Sequence, residues 1–274
     1  QVVDEMQRRA PIGLLRQLGG HLLHPFLAQG VGIGSPGTCD SANGVVVRAY
    51  NLGWFNVPVC SMVTARLGLP CRLSNDANCA ALAETVAGGA VGCRNMILIT
   101  LGTGVGGGIV ADGQLLEGVG GTGAEVGHTV LVLDGEDCTC GRKGCWEAYA
   151  SATALIRQGK RAAAAQPESL LAGYGEGLTG KDVFDAAAAG DAAAQAVVDR
   201  YCVYVAAGIT DLVNILGPEK VHNGGGTSRQ GERLLAPIRA YVAANCFGGH
   251  DRTPPVIECA RLGNEAGIIG AAAL

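Results

Sequence analysis

Three thiols fall within one short run, Cys138-Thr139-Cys140-Gly141-Arg142-Lys143-Gly144-Cys145. Its two glycines permit the tight backbone that turns all three sulfurs inward, and His128, upstream of the run, supplies a fourth ligand. A Cys3His set (His128, Cys138, Cys140, Cys145) closes a tetrahedral zinc site and leaves no open position. The metal is therefore expected to brace structure rather than activate water. Three ordinary core cysteines would not need this spacing. Hydrolytic or deaminating zinc chemistry would need a glutamate in a His-x-Glu or His-Glu-x-x-His setting, and the sequence has neither.

Carboxylates lie close to this knot in sequence. Glu125 precedes His128 by three residues and Glu147 follows Cys145 by two, so folding the knot gathers both acids near one metal. His128 could then ligate with one ring nitrogen and offer the other to a hydroxyl, making a polyol pocket. Each glutamate also has a plainer reading as a solvated or helix-capping acid. Asp76 stands apart, after Asn75 at the end of an apolar stretch. An aspartate there can take the proton of an attacking alcohol, as phosphoryl transfer to a sugar requires. The competing reading is that Asn75 or Asp76 simply caps the next helix.

Glycines cluster at three further places. Leu101-Gly102-Thr103-Gly104-Val105-Gly106-Gly107-Gly108 sits between two expected strands. It is either a phosphate clamp of bare N–H groups with a Thr hydroxyl, or a hairpin that only brings backbones together. It is not a Walker A loop, since no Gly-Lys-Ser/Thr follows. Gly32-Ile33-Gly34-Ser35-Pro36-Gly37 fits the dinucleotide fingerprint formally, but Pro36 and the polar stretch after it replace the required helix, so a turn lining a cleft is expected. Gly224-Gly225-Gly226 follows a strand-like Lys220–His222.

The elements that must position these groups are legible from apolar spacing. Short strands are expected at Val31–Ile33, Val45–Val47, Cys71–Leu73 and Met96–Leu101. A helix over Pro58–Leu67 has Val59, Met62, Val63 and Leu67 on one face, and Gly68 and Pro70 stop it. An Ala-rich helix from Ala77 to Val86 puts Asp76 at a strand-to-helix junction, where open α/β sheets place their chemistry. Ile109–Leu116 forms a hairpin around Asp112-Gly113, a type I′ signal. Ala192–Leu216 carries a helical stripe of Val197, Val198, Tyr201, Val205, Ile209, Leu212, Val213 and Leu216 that reads as core. Strands with intervening helices imply a mixed α/β fold.

The composition is consistent with this. With 274 residues and 48% hydrophobic content the chain can bury one large or two modest cores. A net charge of -4 without a clustered basic face argues against a nucleic-acid partner. No apolar run reaches the ~18 residues of a membrane span, and the first 30 residues lack a signal-peptide layout, so a cytoplasmic location is expected. The 11 cysteines are odd in number and scattered, which fits a metal site and buried thiols better than a disulfide framework.

Together these residues resemble the ROK family (repressors, open reading frames and sugar kinases), and within it the glucokinase branch. The resemblance runs from about Val31 and is carried by the Gly32–Gly37 turn, Asn51-Leu52-Gly53-Trp54, Asn75-Asp76-Ala77-Asn78, the Leu101–Gly108 loop, Glu125-Val126-Gly127-His128, Cys138–Glu147, Gly224–Gly226 and Leu262-Gly263-Asn264-Glu265-Ala266-Gly267. It implies the actin-like ATPase (ribonuclease H-like) fold of two α/β domains closing on a cleft. The smaller would comprise residues 1–80 with 264–274, the larger residues 81–263 with the zinc knot. It implies phosphorylation of a hexose, glucose first, at its 6-hydroxyl by ATP with Mg2+, in a homodimer. Asp76 would be the base, and Asn75, Glu125, His128 and Glu147 the sugar contacts. Gly102, Thr103 and Gly104 would form one phosphate loop and Gly224, Gly225 and Gly226 the adenosine-side loop.

Two departures stand out. The family's kinases carry an Asp-x-Gly-Gly-Thr phosphate loop some forty residues before the Gly32 motif, and residues 1–30 do not match it, which points to a truncated chain. His222-Asn223 replaces apolar strand residues, and an edge or core-satisfied histidine is expected there. Alternatives within the family are an N-acetylhexosamine or fructose kinase and a sugar-responsive repressor. The repressor would need a helix-turn-helix ahead of the core, of which residues 1–30 show only a partly helical pattern over Leu14–Leu27.

Overall fold

The computed structural model describes residues 28–251 and 253–274. The pattern over Leu14–Leu27 lies outside the described residues, as does nearly all of the stretch compared with the first phosphate loop.

β1 (Val31–Ser35) pairs in parallel with β5 (Cys71–Asn75), Val31 opposite Cys71 and Ser35 opposite Asn75. Between them run an antiparallel sheet of β2 (Thr38–Asp40), β3 (Val45–Ala49) and β4 (Trp54–Val57) and the helix α1 (Val59–Leu67). The Gly32–Gly37 motif is thus a strand and a turn into β2, with no helix to hold a pyrophosphate. Cys39, Val46, Ala49, Val59 and Leu73 form a small core here, with Ile33, Trp54 and Val63 against it. Leu67, expected on the apolar face of α1, is instead half exposed in the last turn, where Gly68 ends the helix.

β5 runs directly into α2 (Asp76–Val86), which packs on β6 (Met96–Leu101) and β7 (Val105–Ala111). β7 turns back into β8 (Gln114–Leu115) through Asp112 and Gly113, both at positive φ (52° and 81°), as a type I′ turn demands. After the cysteine run come α3 (Glu147–Ala150), α4 (Ala152–Ala165), α5 (Gly180–Ala188) and α6 (Ala192–Leu216). β9 (Lys220–Gly224), α7 (Glu232–Asn245), β10 (Val256–Cys259) and α8 (Ala266–Ala272) complete the chain.

The main sheet has the order β10-β9-β6-β7-β8, with β10, β9 and β6 parallel and β7 and β8 antiparallel. β6 divides its side chains between two cores, as strand periodicity requires. Ile97, Ile99 and Leu101 face the large helical core with Trp146, Phe184 and Tyr201. Met96 and Leu98 face Ala81 of α2, with Ala90 and Val110. The stripe of α6 is buried as its spacing predicts, from Val197 to Val213, with Leu216 partly covered. α8 returns to pack on α2 and β1. No helix among the described residues is long and apolar enough to cross a membrane.

Candidate active site

The β5–α2 junction divides two roles between neighbouring residues. Asn75 is the N-cap: its Oδ1 accepts Ala77 N–H at 2.8 Å and Asn78 N–H at 3.4 Å, a bond type worth about 1 kcal/mol. Its Nδ2 donates to the Gly37 carbonyl at 2.9 Å, leaving one amide hydrogen for a ligand. The capping interpretation therefore holds for Asn75. Asp76, one position on, turns its carboxyl into an open cleft. Surrounding protein partly desolvates that carboxyl and raises its pKa, an effect that the Ala77 N–H and its own N–H oppose.

The cleft measures about 480 Å³ and collects most of the residues expected to act. Asn75 and Asp76 form one wall, while Glu125, His128 and Glu147 line it with Gly102, Thr103 and Gly104 of the first glycine loop. Gly225 reaches it; Gly224, at the buried end of β9, does not, and Gly226 opens onto a neighbouring pocket. Gly225 has φ +82° and a side chain there would meet the Leu101 carbonyl at 2.5 Å, so only glycine fits between the two loops.

Behind the cleft the ligand atoms of His128, Cys138, Cys140 and Cys145 all lie within 4.8 Å of one another. Cys138 Sγ is 3.6 Å from His128 Nδ1, and Cys140 Sγ is 3.6 Å from Cys145 Sγ. Arms of about 2.3 Å on a tetrahedron give edges of roughly 3.8 Å, so three thiols and one imidazole fit zinc. With Nδ1 turned to sulfur, His128 Nε2 is left for the cleft.

Glu147 joins this knot to the glycine loop. Its Oε2 accepts Val105 N–H at 3.0 Å and its Oε1 accepts the Thr139 hydroxyl at 3.3 Å. A side chain at Gly104 would fall 2.2 Å from that carboxylate. The loop is further tied to α4, where Ala152 N–H donates to the Gly102 carbonyl and the Thr153 hydroxyl to the Thr103 carbonyl, both at 2.8 Å. These bonds hold the strand connection open as a cradle.

Several residues at the site carried no sequence signal. The neighbouring pocket, about 710 Å³, is lined by Gly226, Thr227, Lys181, Arg229 and Arg233, cations whose spacing in sequence is unremarkable. Gly263, Ala266 and Gly267 line the cleft and lie in a motif noted above without a role. Glu84 is the largest omission. Its side chain is fully buried on α2, where Oε1 accepts the N–H groups of Arg261 (2.7 Å) and Leu262 (2.9 Å) and Oε2 accepts that of Gly89 (2.8 Å). His222, also fully buried, lies between Glu84 Oε2 (3.1 Å from Nδ1, out of line for a hydrogen bond) and Glu258 Oε1 (3.2 Å from Nε2). It is core-satisfied through Nε2, which hydrogen-bonds Glu258 Oε1, and Lys220 adds a 3.0 Å contact to the same carboxylate. Burial alone would raise the Glu84 pKa, but His222 and the backbone donors outweigh it and hold the carboxyl down to about 2.

A model of the ROK family matches residues 23–274. A glucokinase of Halalkalibacterium halodurans is 43% identical over 263 residues, covering 93% of this chain and 78% of that protein. A ROK family glucokinase from Streptomyces griseus, solved in complex with glucose and AMPPNP, superposes with a TM-score of 0.80 at 39% identity, covering 99% of this chain and 86% of that one. A xylose repressor of Caldicellulosiruptor bescii is 32% identical over 247 residues, which is 62% of its length.

Proposed function

This chain belongs to the ROK family and has its actin-like ATPase fold, and from that premise we propose that it transfers a phosphoryl group from ATP to the 6-hydroxyl of a hexose, glucose in the first instance. The observation that carries the reading is the convergence of Asp76, Glu125, His128, Glu147 and two glycine loops on one cleft. Similarity to glucokinases exceeds that to the xylose repressor in both identity and share of the relative covered, which favours kinase over repressor.

In this reading the hexose lies between the Asp76 wall and the zinc knot. Glu125, His128 Nε2, Glu147 and the spare Asn75 amide hydrogen hold its hydroxyls, and Asp76 accepts the proton of the attacking one. Desolvation in the cleft raises its pKa and makes it a better base than a free aspartate. Thr103 and Gly104 present N–H groups and a hydroxyl to the phosphates, while the Gly102 N–H closes the loop on the Gly104 carbonyl at 3.0 Å. The Gly225 and Gly226 turn leads the nucleotide into the pocket of Lys181, Arg229 and Arg233, and Gly224 supports that turn from below. Magnesium bound with the nucleotide supplies counter-charge for the phosphates. Zinc would be held by His128, Cys138, Cys140 and Cys145 and would fix the orientation of His128. The resemblance and the composition also support a cytoplasmic homodimer.

A coupled assay with MgATP and a panel of hexoses tests the activity. Asp76→Asn should lower kcat by about 100- to 10,000-fold with hexose binding kept in calorimetry. Parental turnover in that variant would remove Asp76 as the base.

A further inference from the structure

Glu117 lies in the loop after β8, eight positions before Glu125, and plays no part in the mechanism above. Its half-buried carboxylate bonds across the fold. Oε1 accepts the hydroxyl of Ser41, in the β2–β3 turn, at 2.7 Å, and also the hydroxyl of the fully buried Ser74. Ser74 immediately precedes Asn75 and Asp76 on β5. On the loop side, the Glu117 carbonyl accepts Gly123 N–H at 2.7 Å, two residues before Glu125. Gly121 rests against the Cys39 carbonyl so closely that a side chain there would sit 1.7 Å from it. Gly121, Gly123 and Glu125 line the cleft opposite the wall that begins at Asn75. One carboxylate therefore fastens the loop of one wall to the strand end of the other.

We propose that Glu117 is a positioning residue for phosphoryl transfer: by holding Ser74 and Ser41 it fixes the separation of the Glu125 loop from Asp76, and so the reach of Asp76 to the hexose hydroxyl. The proposal rests on the kinase reading above. Neither serine nor Glu117 is among the residues that line the cleft. His128 and Glu147 are held by the cysteine cluster and the Val105 N–H rather than by this bridge, so its loss should spoil alignment more than binding. Misplacement of about 1 Å at a reacting centre costs roughly 100-fold in rate.

The test is steady-state kinetics and hexose calorimetry on Ser74→Ala, Glu117→Ala and the pair combined. Expected are kcat values reduced about 10- to 100-fold, hexose Kd within about threefold of the parent, and a double variant no worse than the poorer single one, since all three lack the Ser74–Glu117 bond. Glu117→Asp, which keeps the charge on a shorter stem, should recover part of the rate. Parental kcat in Ser74→Ala at a parental Tm overturns the proposal even if Glu117→Ala fails to fold. Multiplicative losses in the double variant overturn it too. A parent that binds hexose without transferring phosphate would sink the kinase reading instead, which keeps the two failures apart.

Discussion

Removing the Glu84 carboxylate should destabilise the fold by about 3 kcal/mol, a figure reached by two routes. Glu84→Ala strips the acceptor from three backbone N–H groups, those of Gly89, Arg261 and Leu262. Each orphaned donor costs about 1–3 kcal/mol, and water entering the space left behind brings the sum towards the lower end. Separately, a carboxyl held at about 2 instead of its ordinary 4.5 contributes about 3 kcal/mol near neutrality at 1.36 kcal/mol per unit. For a chain of this size the loss lowers Tm by roughly 6–12 °C. Because the folded-state pKa is depressed, the stabilisation is complete above 4.5 and disappears as pH falls towards about 2. Urea melts of parent and variant should therefore differ most at neutral pH and draw together below about pH 4. A gap under about 1 kcal/mol at neutral pH, or one that stays constant into acid, would refute the assignment of Glu84 as a buried ionised anchor.

The raised pKa of Asp76 predicts an acid limb in kcat/KM above the ordinary aspartate value of 3.8, and that limb should be missing from the residual activity of Asp76→Asn. Elemental analysis should give about one zinc per chain on the Cys3His argument, and Cys145→Ser should lose both the metal and several degrees of Tm; a metal-free protein of parental stability would contradict the ligand set. Gly225→Ala, forced to φ +82° and against the Leu101 carbonyl, should cost about 1–3 kcal/mol and raise KM for ATP in kinetics while hexose binding in calorimetry is unchanged.

What the sequence disclosed and withheld follows from the range of the forces involved. Met96–Leu101, the Asp112-Gly113 turn and the α6 stripe were legible because their signals are local: apolar period, positive φ and helical spacing. The thiols were legible because metal ligands from one short run need tight spacing. Glu84 and Glu117 were not, since a glutamate on a helix or in a loop reads as solvated until partners more than 70 residues away arrive, as Ser41 and Arg261 do. His222 stood out as an anomaly, yet the carboxylates that make it tolerable lie 36 or more residues from it in sequence. Leu67 failed for a simpler reason: it falls in the last turn of α1, where the chain is already leaving the small core.

β6 and β9 run side by side with Thr100 facing Gly224, and each ends in one of the two glycine turns. The interval between those turns is consequently a property of strand alignment, ruled off in steps of about 3.3 Å, and loop sequence cannot adjust it continuously. Substitutions within either turn can retune what is held there, but the gauge between them changes only by a whole-residue slip. Such a slip would also swap the inward and outward faces of β9 and carry His222 away from both its acids. A nucleotide spanning the two turns would therefore be measured against the weave of the sheet itself.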